Sequence, residues 1–236
     1  MDKPPAPLRR IRVILTALLI KAYAALHPER CRFAGFVVAT PRGCLPPRYT
    51  VSTSLLARAV DDMDLVGRRV LDVGCGSGAL MLVASRRGAY VVGVDIDPVC
   101  ARAARVNLEA NGLGAAGDIV VCDSAECLRG GFDLAVVNPP FLPVEGEPYY
   151  ACGRGCSAAR RMLSAAAHLA RRVLYAWSSL SGDPPLGCMV VASRRGLLDR
   201  VYACLHDGSS GARRGCGWEA EAEHVAEYGG GLPPGE

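Results

Sequence analysis

Two stretches of this 236-residue chain place residue types where their spacing could do chemistry. In the first, Asp72-Val-Gly-Cys-Gly-Ser-Gly, glycines at 74, 76 and 78 separate an aliphatic run (Val70, Leu71, Val73) from a helical pattern (Ala79 to Arg87). Glycine serves where a chain turns with positive φ or must meet a ligand with its backbone. A strand, a glycine-rich turn and a helix N-terminus together predict a nucleotide-binding crevice at the carboxyl end of the strand. A second apolar run, Tyr90 to Val94, ends in Asp95, about 20 residues further on, the place for a carboxylate on a ribose. The second stretch, Asn138-Pro139-Pro140-Phe141, directly follows the apolar run Phe132 to Val137. A primary amide or exocyclic amine is a poor nucleophile, because its nitrogen lone pair is delocalised. The Asn138 side-chain oxygen and the Pro139 carbonyl can hold the two N–H bonds of such a group, and the restricted φ of the prolines aims that carbonyl. Asn is no base near neutral pH, so its role would be positioning and stabilisation of developing charge. Phe141 would stack on the planar group. Taken alone, the same four residues read equally well as a strand-ending turn.

Both stretches need a sheet behind them. Asp118 to Cys122 reads as a further strand, and Asp123-Ser124 follow at its carboxyl end. Four short apolar strands alternating with helices predict a doubly wound α/β sheet. Pro98 suits the first turn of a helix that Asn111-Gly112 ends. Upstream, Phe36-Val-Val-Ala-Thr is strand-like, Pro41 to Arg48 is turn and loop, and Ser52 or Thr53 caps a helix running through Val60. Downstream come a helix from Ala158 to Arg172, a strand from Val173 to Trp177 and another from Met189 to Ala192. The expected organisation is an N-terminal helix and strand extension (1–45), the α/β domain (46–205) and a poorly ordered tail (206–236).

Half the residues are hydrophobic, enough for a substantial core, and the net charge is +4, with all but two of the 27 basic residues Arg. That charge permits an acidic partner without demanding one, and no basic tract with interleaved aromatics marks an RNA-binding module. Eleven Cys without a C-x-x-C pair make a protein metal site an unfavoured reading, so no metal is expected. Most of these cysteines are expected as small buried hydrophobes. Near the N-terminus, Arg9, Arg10 and Arg12 precede an apolar run from Val13 to Ile20 that imitates a signal peptide. The run is far below the ~20 residues of a membrane span, and the favoured reading is an amphipathic helix packed on the domain. His168 falls in a helix, as a surface or packed residue, and no Ser-His-Asp or Cys-His set is indicated.

Asp72-Val-Gly-Cys-Gly-Ser-Gly resembles the first motif of class I S-adenosylmethionine (SAM)-dependent methyltransferases, whose fold is a Rossmann-like doubly wound sheet. SAM lacks a pyrophosphate, and Asp72 suits its cationic character. The resemblance implies SAM as cofactor, S-adenosylhomocysteine as product and a cytoplasmic location without membrane attachment. Implied cofactor contacts are Asp72, Gly74, Cys75, Gly76, Gly78, Asp95, Ile96, Asp123 (to the adenine amino group), Ser124 and Asn138. Asn138-Pro139-Pro140-Phe141 matches the substrate motif of methyltransferases acting on planar NH2 groups. From Pro46 to Gly182 the order of elements is similar to HemK-like release-factor glutamine methyltransferases, in their short archaeal and eukaryotic branch. The family's Glu-Asp is absent near Val51 and Ser52, and Cys152 replaces the first glycine of its Gly-Gly-x-x-Gly loop. Tyr49 and Thr50 stand where a loop would cover the methionine end of SAM, although a capped surface turn explains them as well. The resemblance implies the N5 of a release-factor glutamine as methyl acceptor and a small zinc-binding activator as partner. The open alternative is a nucleic acid, at adenine N6 or guanine N2, towards which Phe in place of Tyr at 141 leans.

Overall fold

The computed structural model describes residues 11, 13–19, 22, 28–140, 156–178, 189–193, 199–205 and 226–227. A helix, α1 (residues 13–19), precedes a two-stranded antiparallel sheet of β1 (Arg30–Phe33) and β2 (Phe36–Ala39). The domain then runs α2 (Val51–Asp61), β3 (Arg69–Val73), α3 (Ala79–Arg86), β4 (Tyr90–Asp95), α4 (Pro98–Ala110), β5 (Gly117–Val121) and β6 (Phe132–Val137). It continues with α5 (Ser157–Leu169), β7 (Ala170–Ser178), β8 (Met189–Ser193), β9 (Asp199–Leu205) and β10 (Ala226–Glu227).

Among the described residues, eight strands form one sheet in the order β10-β8-β9-β7-β6-β3-β4-β5. β3 to β7 are parallel, and β9 inserts antiparallel between β7 and β8. The order reverses at β3, which pairs with β4 on one side and β6 on the other. A crevice opens at the carboxyl ends of strands where the winding reverses, so this topology places Gly74 and Asn138 side by side.

Strand residues alternate between two cores. Val70, Leu134, Val136, Leu174 and Ala176 face α2, α3 and α4. Leu71, Val73, Ala135, Val137, Val173, Tyr175 and Trp177 face α5. Burial on both faces explains why these strands read as continuous apolar runs rather than alternating ones. Strand and helix boundaries fall within a few residues of those expected. The helix after the loop starts earlier than expected, at Val51 with Thr50 at its N-cap, so Ser52 and Thr53 lie in its first turn and cap nothing. The strand expected from Met189 to Ala192 is β8, and it pairs antiparallel with β9.

The N-terminal expectation needs correction in part. α1 buries Val13, but Ile14, Leu15, Leu18 and Leu19 are more than half exposed. No helix among the described residues is long and apolar enough to cross a membrane. The cysteines also differ from expectation: Cys44 is bonded to Cys100 and Cys122 to Cys127, while Cys31 and Cys75 are free and buried. The pairing joins residues 56 apart in sequence, which spacing alone cannot reveal.

Candidate active site

A cavity of about 580 Å³ lies over the carboxyl ends of β3, β4, β5 and β6. Its floor is the turn after β3. Gly74 and Cys75 donate backbone N–H to the Val94 carbonyl at 2.8 and 2.9 Å, locking the turn onto β4. Gly76 (φ +53) has no atom within 4 Å of where a Cβ would stand, so its backbone is bare toward the cavity. Gly78 serves packing instead. At φ +77, its absent Cβ would lie 2.9 Å from the Ala104 Cβ, so α4 crosses against the start of α3. Asn107 on α4 reinforces this crossing: it is buried, donates to the carbonyls of Ser77 and Ala39, and accepts from the Ala39 N–H.

Four carboxyl groups line the cavity, those of Asp72, Asp95, Asp97 and Asp123. Asp72 is 2% exposed, and its Oδ2 has no hydrogen-bond partner. Burial first, and then the neighbouring Asp95 charge, push its pKa up to about 7, against a backbone N–H at Met81 that favours the ionised form. Asp95 accepts the Gly76 N–H (2.7 Å) and the Asp97 N–H (2.9 Å), one on each oxygen. Each oxygen keeps a further lone pair. Its pKa is also raised, chiefly by burial. Asp123 accepts from the Ser124 hydroxyl (2.7 Å) and lies 3.5 Å from the Arg161 guanidinium, a half-exposed pair worth little to stability. The Cys75 thiol is buried beside Asp72 and Asp95, and burial foremost raises its pKa well above the usual value. It is therefore protonated and a poor nucleophile.

Asn138 follows β6 and donates its Nδ2 to the Thr53 hydroxyl at 2.8 Å, bridging 85 residues. Its Oδ1 is buried and has no partner. Thr53 is in turn hydrogen-bonded to the Thr50 hydroxyl, which donates to the Pro47 carbonyl. A carboxamide with one end fixed and one acceptor spare can take an N–H from a ligand, the capacity read for Asn138 from the sequence.

Of the residues read from the sequence, the structure brings Asp72, Gly74, Cys75, Gly76, Asp95, Ile96, Asp123, Ser124, Asn138 and Pro140 to the cavity wall. Gly78, Pro139 and Thr50 do not line it. Tyr49 closes a short 3-10 turn from Pro47. Phe141 and the loop beyond it lie outside the described residues. Sequence reasoning missed Thr53 as a wall residue, Arg161 and Met162 on α5, and Gly43 to Leu45, which the Cys44–Cys100 bond ties to the start of α4. Only Thr53 carried a signal: it lies in the first turn of an amphipathic helix just after the Pro-Pro loop.

The family model for the methyltransferase small domain matches residues 48–170. The release factor glutamine methyltransferase of Rhodospirillum rubrum is 38% identical over 113 residues, 47% of this chain and 34% of that protein. The ribosomal protein L11 methyltransferase of Dechloromonas aromatica is 50% identical over 70 residues, 29% of this chain and 22% of that protein. Among solved structures, the 16S rRNA N2 G1207 methyltransferase of T. Thermophilus, in complex with AdoMet and guanosine, superposes with a TM-score of 0.61. It is 25% identical, and the match covers 75% of this chain and 49% of that one. The chain thus spans about a third or less of these curated relatives and half of that solved chain.

Proposed function

The chain belongs to the methyltransferase small domain family, and from that membership we propose a SAM-dependent N-methyltransferase whose acceptor is the glutamine side-chain amide of a peptide chain release factor. The observation that carries the reading is the Asn138 carboxamide, held by Thr53 through Nδ2 and left with a buried Oδ1 that has no partner. A buried polar atom without a partner costs stability, and an incoming N–H would satisfy it. SAM fits the residues present, because the cavity offers bare backbone at Gly76 and an unpaired acidic oxygen at Asp72 for a cationic ligand. When bound, SAM supplies the methyl group.

The chain's own residues do the rest. Asp95 accepts from the ribose hydroxyls through its remaining lone pairs, and Asp123 from the adenine amino group. Ile96 and Ser124 border these two positions on the cavity wall. Asn138 takes one N–H bond of the acceptor through Oδ1, turning its lone pair toward the methyl donor and stabilising charge as it develops; the Pro139 carbonyl, off the cavity wall, is assigned the second N–H from the sequence motif. Phe141 stacks on the planar group. Residues 46–205 make up the catalytic domain.

The release-factor acceptor rests on the order of motifs from Pro46 to Gly182 and on the similarity to the R. rubrum protein. A second reading, guanine N2 in RNA, is favoured by the guanosine complex of the T. Thermophilus neighbour. The small zinc-binding activator draws no support from the comparisons. Incubation with methyl-labelled SAM and, in parallel, a release factor, ribosomal protein L11 and total rRNA separates the readings. Label in the release factor is expected, and label confined to RNA or to L11 overturns that acceptor.

A further inference from the structure

The groups behind Asn138 form one chain of hydrogen bonds. Asn138 donates Nδ2 to the Thr53 hydroxyl at 2.8 Å. Thr53 is hydrogen-bonded to the Thr50 hydroxyl, which also lies 3.1 Å from the Pro47 carbonyl. Held this way, the carboxamide leaves Oδ1 as its buried end without a partner. Were the carboxamide turned over, Nδ2 would face the acceptor's own N–H, donor against donor. Thr53 is 7% exposed, so water is not free to replace it.

The geometry points to Thr53 as a positioning residue: backed by Thr50 and the Pro47 carbonyl, it holds the Asn138 carboxamide with its oxygen presented to the acceptor NH2. This rests on the reading of Asn138 given above. It also gives Thr50, which stands off the cavity wall, a role in holding the Thr53 hydroxyl rather than in touching a ligand.

The test uses the full chain and the variants Thr53→Val, Thr53→Ser, Asn138→Ala and Thr53→Val with Asn138→Ala. In 15N-labelled protein, the Asn138 side-chain NH2 signals are those lost in Asn138→Ala. In Thr53→Val they should shift and broaden as the carboxamide loses its anchor, and Thr53→Ser should restore them. With whichever acceptor takes label, Thr53→Val should lower kcat on the order of tenfold, the worth of one oriented hydrogen bond. KM for SAM should stay unchanged, and Thr53→Ser should recover the rate. The double variant should be no slower than Asn138→Ala alone, since both act through one group. Unmoved NH2 signals, wild-type turnover in Thr53→Val beside an inactive Asn138→Ala, or a rate that Ser does not rescue each overturn the role of Thr53 and leave Asn138 standing. Wild-type turnover in Asn138→Ala overturns the reading of Asn138 itself.

Discussion

Replacing Asp72 by Asn asks whether a buried carboxyl under the cavity is held protonated. Asp72 is 2% exposed and its pKa rises from 3.8 to about 7, driven first by burial and then by Asp95. That difference is about 3 units, or about 4 kcal/mol of preference for the neutral form at 1.36 kcal/mol per unit. Between these two values the folded protein holds a proton that the unfolded chain has released. By linkage, folding stability then falls as pH rises. The contribution is complete below about pH 4, is lost progressively up to about pH 7, and is flat above it. Asn keeps the shape and can accept the same Met81 N–H, but it does not titrate. Urea unfolding of both proteins at half-unit steps from pH 4 to 8, each referenced to its own value at pH 4, cancels groups that titrate alike in the two. Wild type should lose up to about 4 kcal/mol relative to Asp72→Asn across that range, most of it between pH 5 and 7. Parallel curves would refute the raised pKa of Asp72.

Other expectations follow from the same wall. A cationic ligand favours ionised Asp72, so SAM affinity should rise with pH from 5.5 to 8 with proton release, a trend absent in Asp72→Asn; calorimetry in two buffers of different ionisation enthalpy reads both. Asp95→Ala should weaken SAM binding by about 1.5–3 kcal/mol, and unchanged calorimetric affinity would remove Asp95 from the ribose site. Gly78→Ala forces a Cβ to 2.9 Å from Ala104 at φ +77, and thermal unfolding should report a loss of about 2–4 kcal/mol; a Tm within a degree of wild type would argue against that crossing. Reduction of Cys44–Cys100, which closes 56 residues, should lower stability by up to about 4 kcal/mol from loop entropy, and a denaturation midpoint indifferent to dithiothreitol would contradict it.

What the sequence revealed was local. The turn from Asp72 to Gly78 and the Asn-Pro-Pro that ends β6 each carry strand, breaker and polar group within a few residues, so pattern alone locates them. Asp95 and Asp123 were legible for the same reason, as the first polar residues past apolar strands. What stayed hidden joins distant segments. Thr53 and Asn138 meet across 85 residues, Cys44 and Cys100 across 56, and no periodicity encodes either pairing. The insertion of β9 between β7 and β8 is likewise a matter of sheet order. Arg161 and Met162 reach the cavity only because α5 packs beside β3 and β6, and on a helix otherwise lined with alanine they look like ordinary surface and core residues.

The most direct measurement is tandem mass spectrometry of a release factor after single-turnover incubation with SAM, run with the wild-type chain and with Asn138→Ala. One added methyl on the side-chain amide of the glutamine in a Gly-Gly-Gln loop is expected with wild type. Its rate should fall on the order of a hundredfold in Asn138→Ala, while SAM affinity stays intact. An unmodified glutamine, with methylated guanine recovered from rRNA in the same tube, would contradict the assignment.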